Sequence, residues 1–168
     1  KVSSLKYIFF ENELENVNIK IDQKNLYNLE LQREKKIKGI SKEFQSFSRA
    51  QLSLKKKNYD IKLRVKGDRV LHWYDKNQTS YKVDIRGIDR LWGMEEFSIQ
   101  KPITRNYTYE YLFHKFLEFN GLISLKYFFI NLNMNDTNQG IYAVEEGFSK
   151  ELIERNKKRN GPIFGKIR

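Results

Sequence analysis

Between residues 50 and 68 the sequence reads AQLSLKKKNYDIKLRVKGD. Apolar residues fall at every second position on both sides of a polar turn: Leu52 and Leu54, then Ile61, Leu63 and Val65. Successive side chains of a strand point to opposite faces, so this period of two places one apolar and one wet face on each arm of a hairpin. The same period returns in NVNIKIDQ (16–23), SYKVDIRG (80–87), the stretch through Phe97 and Ile99, KYFFINLNMN (126–135) and GIYAVEEGF (140–148). The last two read as a second hairpin turning at Asp136–Gln139.

Three segments change period. NLYNLELQREKKIKG (25–39) reads as a charged surface helix with Asn25 as cap and Gly39 as stop. TRNYTYEYLFHKFLEFNGL (104–122) carries Tyr109, Leu112, Phe113, Phe116 and Leu117 at i, i+3, i+4, i+7 and i+8, the stripe of an amphipathic helix. Thr104 suits its cap and Gly121 the left-handed position past its end. SKELIERNKKR (149–159) begins a short helix capped by Ser149, and GPIFGKI after it reads as extended. No repeat or linker interrupts the chain, so residues 1–168 are expected to form a single domain. The expected fold class is α+β: antiparallel hairpins packed on one main core helix, 104–121.

Composition bounds the chemistry. A chain of 168 residues buries roughly 70% of its unfolded surface and needs no staple. With no cysteine, disulfides and thiolate metal sites are excluded. No apolar run approaches the ~20 residues of a membrane span. The chain opens on Lys1 rather than Met, as a trimmed piece would. Thirty-two Lys and Arg against 21 Asp and Glu give a formal charge of +11, which admits nucleic acid or another anionic polymer as a partner. The basic residues are spread from end to end, however, and scattered charge ordinarily forms a solvated surface.

Local signatures of catalysis are missing: no P-loop, no Rossmann glycine run, no HExxH, no GxSxG. His114 shares a helical face with Glu110 and Glu118, half of a metal site without a third ligand; a solvated or helix-pairing histidine is the plainer reading. The aromatics of 107–119 could stack bases, but their spacing favours core packing. The lysines of LKKKNYDIKLRVKGDR suit one wet face guarding a sheet edge.

Four segments taken together, IKLRVKGD, LWGMEEFSIQKPITRNYTYEYLFHKFLEFNGLISLKYFFINLNMN, GIYAVEEGFSKELIERN and KRNGPI, resemble the CotH (spore coat protein H) kinase-like family. The resemblance implies part of an atypical kinase-like fold, binding of ATP with Mg²⁺ or Mn²⁺, and phosphoryl transfer to a protein at a cell surface or spore coat. The family's metal-binding aspartates lie beyond its glutamate segment, and this chain ends about twenty residues past Glu146. The resemblance therefore implies the N-terminal, nucleotide-facing portion of a longer protein, inactive alone.

In kinase-like sites a lysine on a strand holds phosphate and a carboxylate holds the lysine. By that analogy Lys82 or Lys66 contacts phosphate, Glu145 orients it, Arg64 and Arg105 add positive charge, and Trp73 or Tyr81 stacks the base. The sequence departs from the family at Lys66-Gly67-Asp68, where Arg-Gly-Asn is usual, and at Gln78-Thr79, where a lysine pair is usual. Glu145 and Glu146 have opposite parity on their strand, so one at most faces inward. Ile141 and Ala143 share the face of Glu145 and are smaller and more apolar than Tyr142 and Val144, which points to Glu145. A structural salt bridge from Glu145 to Arg64 or Arg105 is the alternative.

Overall fold

A computed structural model describes residues 14–39, 46–67 and 69–156 of the chain. Seven strands form a closed barrel: β1 (Glu15–Lys20), β2 (Ser48–Leu54), β3 (Lys57–Val65), β4 (Tyr81–Ile85), β5 (Glu96–Gln100), β6 (Tyr127–Met134) and β7 (Thr137–Glu146). Their order around the barrel is β1-β2-β3-β4-β5-β7-β6. All neighbours are antiparallel except β1 and β6, which run parallel from Glu15 opposite Ile130 to Ile19 opposite Met134. That one pairing closes the sheet.

The expected α+β sheet packed on a core helix, and with it the atypical kinase-like fold that the resemblance implied, is therefore corrected to a closed mixed barrel whose core is its own interior. Alternation specifies faces but is blind to closure, because the β1–β6 pairing joins segments more than a hundred residues apart. The interior takes Val17, Ile19, Leu52, Ile61, Leu63, Val83, Phe97, Ile99, Ile130 and Leu132, all essentially inaccessible. Each such side chain contributes roughly 1.5–3 kcal/mol on burial. A bulge between Leu132 and Asn133 adjusts the long β6–β7 hairpin.

Helix α1 (Gln23–Ile37) follows β1 and is tied to the β3 end of the barrel. Its cap is Asp22, not Asn25: the Asn25 N–H donates to Asp22 Oδ1 at 2.8 Å. Gln32 fixes it to β3, accepting from the Val65 N–H at 3.1 Å while donating to the Ser46 carbonyl at 2.6 Å. Gly39, at φ +76, follows its end.

Helix α2 (Tyr109–Phe119) links the end of β5 to the start of β6 across the outside of the barrel. It is helical where expected, but shorter, because 102–105 forms a separate 3-10 turn opened by Pro102. Thr104 is buried in that turn and Thr108 occupies the cap position. The expected burial is reversed. Tyr109, Leu112, Phe113 and Phe116 are exposed, and His114 is the buried residue of the helix. The barrel already holds a complete apolar core, so α2 meets the wall through His114 over Tyr127 and Tyr111 beside Phe129.

The short α3 (Lys150–Arg155) is capped as expected, by Ser149 Oγ accepting from the Leu152 N–H. The first hairpin turns at Lys55-Lys56 rather than near the Lys57-Asn58 expected from its sequence, and the second at Asn135-Asp136 rather than across Asp136–Gln139. Asp68 and the KRNGPI and GPIFGKI segments lie outside the described residues.

Candidate functional site

Strand register assembles the site. On the outer wall one row of side chains crosses five strands, running Arg64, Lys82, Ser98, Glu145, Tyr127. Alternate residues on these strands, such as Leu63, Val83, Phe97 and Val144, fill the barrel. The next row toward the α1 end brings Lys66 and Gln100 beside Glu145.

The inward glutamate is thus Glu146, not Glu145. Tyr142, Val144 and Glu146 share the interior face and are 4% exposed or less. The large Tyr142 ring is what fills the barrel; the smaller Ile141 and Ala143 lie on the outer face, so the size argument pointed the wrong way. Glu146 accepts from the Lys126 N–H at 2.8 Å and from the Arg155 guanidinium, which ties α3 to the rim.

Glu145, although outward, is only 13% exposed in its side chain because the 3-10 turn and α2 roof it. Lys66 Nζ stands 3.5 Å from its Oε2 and donates to Gln100 Oε1 at 3.0 Å. Gln100 Nε2 donates to Glu145, and Arg105 reaches both carboxylate oxygens at 3.4 Å. Burial alone would raise the Glu145 pKa, but Lys66 and Arg105 outweigh it and hold the carboxyl below its usual range.

The lysine is placed by its backbone. The Lys66 N–H donates to the Ser80 carbonyl at 2.8 Å, extending the β3 ladder by one residue. Gly67 then turns at φ +85, where a Cβ would lie 2.2 Å from Cδ2 of the buried His72 ring. Lys36 Nζ holds the Gly67 carbonyl at 2.7 Å. Burial lowers the Lys66 pKa, and Arg105 and Lys82 push the same way against the opposing pull of Glu145. His72 is driven to about 4 by burial and by Lys66, Arg105 and Arg69, so it is neutral at pH 7. Tyr127 is pushed up to about 12 by burial and by Glu145 and Glu110.

The remaining expected residues divide. Lys82 faces the same wall but is paired with Glu96 at 2.7 Å. Arg64 stands over the Phe47 ring, 5.4 Å from its centroid. Trp73 is buried in the core, and Tyr81 packs on the core and lines a cleft beneath α1, so neither ring is free to sandwich a base beside Lys66. His114 accepts from the Leu125 N–H through Nδ1 and lies 3.5 Å from Glu110, the helix-pairing role. Among the described residues no three His, Cys, Asp or Glu side chains gather as a metal site would require.

Gln100 and His72 join the site without being candidates on sequence grounds. Gln100 had a legible signal, an outward polar residue at a strand end just before Pro102; His72 had none, since only the fold brings it onto Gly67.

A cleft of about 400 Å³ lined by Arg69, Thr104, Arg105, Asn106, Tyr109 and Glu110 opens beside this cluster at the start of α2. Two cations therefore meet one carboxylate at its edge, with donors left over. No protein-family model matches the chain, and no curated protein matches it. Among the described residues no helix is long and apolar enough to cross a membrane.

Proposed function

We propose that the chain binds the phosphates of a nucleotide at Lys66 and Arg105, as the nucleotide-facing part of a phosphotransferase acting on protein in its intact form. One observation carries the reading: Lys66 and Arg105 converge on Glu145 in a half-buried cluster beside an open cleft, where Glu110 is the one further carboxylate in its lining. Charge left unbalanced out of water is costly. Burial first, and Arg105 second, lower the Lys66 pKa, and an incoming phosphate would offset both. Arg105 offers phosphate a planar fork and Lys66 a compact charge. Glu145 and Gln100 hold both in place before any ligand arrives. A divalent ion would come with the nucleotide.

The test is thermal unfolding in the presence of ATP, with and without Mg²⁺ or Mn²⁺. At 100 times its dissociation constant the ligand adds about 2.7 kcal/mol. Lys66→Gln should abolish the shift, and Glu145→Gln should weaken it by misplacing both cations. Equal stabilisation by any polyanion, collapsing with salt and indifferent to metal, would replace this reading with that of a basic module for an anionic polymer, which the row of Arg64 and Lys82 favours.

A further inference from the structure

Among the described residues nothing covers the apolar stripe of α2. Tyr109, Leu112, Phe113, Phe116 and Phe119 are between 53% and 89% exposed. Isolated exposed apolar residues are ordinary, but five on one eleven-residue helix make a patch, and contiguous apolar patches mark interfaces. His114 turns toward the barrel, and the charged Arg69, Arg105 and Glu110 border only the Tyr109–Phe113 end of the stripe, whose own side chains carry no charge.

We infer that α2 pairs with α2 of a second copy of this chain, the two helices antiparallel about a two-fold axis near Phe113. Two observations select this occupant, and a third selects its orientation. The first is area. At about 200 Å² for a fully exposed aromatic, the five side chains offer roughly 600 Å², most of the ~800 Å² per partner of a standard interface. The second is chemistry: a face without charge meets its like without stranding an ion, and a two-fold interface requires that self-complementarity. The third is electrostatic. Arg69 and Arg105 cluster at the start of α2, so a parallel pair would bring four guanidinium groups together, whereas an antiparallel pair separates them and opposes the helix dipoles. The spacing i, i+3, i+4, i+7 is the seam of a two-helix contact. The stripe shares Tyr109, Leu112 and Phe113 with the cleft beside Arg105, so pairing would narrow the mouth of that cleft.

Salt behaviour is distinctive. Two chains of charge +11 repel, so raising ionic strength should tighten the dimer. The experiment is sedimentation equilibrium of the full chain from 1 to 100 μM. The expected result is twice the 20.3 kDa chain mass, with dissociation on dilution at low salt. Phe116→Glu should give the 20.3 kDa species with unchanged thermal unfolding at low concentration, because that side chain is exposed in the monomer. The chain has no cysteine, so Phe113→Cys should oxidise to a covalent dimer while Tyr109→Cys, further from the axis, should not. A wild-type monomer at 100 μM overturns the proposal. So does a dimer indifferent to Phe116→Glu, and so does cross-linking at Tyr109 rather than Phe113.

Discussion

Lys66 Nζ and Glu145 Oε2 stand 3.5 Å apart on the outer wall of the barrel, although 79 positions separate them in the chain. Neither is at a rim washed by solvent; their side chains are 19% and 13% exposed. The carboxylate also serves Arg105, and the amide of Gln100 joins both. Removing Glu145 leaves two cations beneath a roof. Glu145→Gln should cost about 2–4 kcal/mol, somewhat below the range for a fully buried pair broken on one side. Lys66→Gln in the same background should recover part of that loss. A double-mutant cycle on urea midpoints measures it; strict additivity would mean that the two groups do not interact.

Stability should fall in mild acid because of His72. Its folded pKa is about 4 against an ordinary 6.5. Above pH 6.5 the imidazole is neutral in both states and contributes nothing to the slope. Between 6.5 and 4 the unfolded chain takes up a proton that the native chain refuses, so stability declines as pH drops. At 1.36 kcal/mol per unit the loss approaches roughly 3 kcal/mol. Glu145, whose folded pKa is lowered, adds its own loss only below about 4.5 as pH falls through its folded value. His72→Phe should flatten the upper window and leave the lower one, read from denaturant unfolding at closely spaced pH values.

Much of the local structure was legible, and the reason is periodicity. Leu52, Leu54, Ile61 and Leu63 mark faces that a hairpin must respect, and Ser149 and Gly121 mark helix ends by chemistry that does not depend on the rest of the fold. Closure of the barrel was not legible, because the pairing of Val17 with Leu132 is a relation between distant strands that carry the same apolar alternation as every other. The error over α2 has the same root. A stripe such as Leu112, Phe113 and Phe116 says that a face wants cover, and says nothing about whether the same chain supplies it. At the site, Lys66, Arg105 and Glu145 were all named from the sequence, but their convergence outside the barrel depends on register. Tyr142 and Ile141 show why size is a poor guide to facing: a barrel interior takes the larger ring.

Gly67 should tolerate almost nothing. Its φ of +85 is strained for any other residue, and an added Cβ would meet three atoms of the His72 ring within 2.9 Å. That ring is buried and cannot swing away. Gly67→Ala should therefore cost about 2–4 kcal/mol, from left-handed strain plus overpacking. Gly121 supplies the comparison: its φ is +66 but nothing lies within 4 Å of the added atom. Gly121→Ala should cost about 1 kcal/mol. Equal losses at the two sites would mean that the His72 contact does not constrain the Lys66 backbone.

The two adjacent glutamates should separate cleanly by experiment. Glu146 is the more buried, and its carboxylate serves structure: the Lys126 N–H and the Arg155 guanidinium both end on it, while Arg155 also donates to the Ser124 carbonyl at 2.9 Å. Glu146→Gln keeps one acceptor oxygen but loses the charge facing Arg155. It should lower stability by about 2–3 kcal/mol. Hydrogen exchange should show the loss first in α3, because that helix has six residues and is fastened at its end by Arg155. Phosphate or nucleotide binding at Lys66 and Arg105 should be unchanged at temperatures where the variant is folded, since Glu146 contacts neither cation. Glu145→Gln should do the reverse in kind, weakening the ligand while leaving exchange in α3 as it was. Loss of binding in Glu146→Gln with intact α3 protection would contradict the division of labour that strand parity imposes on this pair.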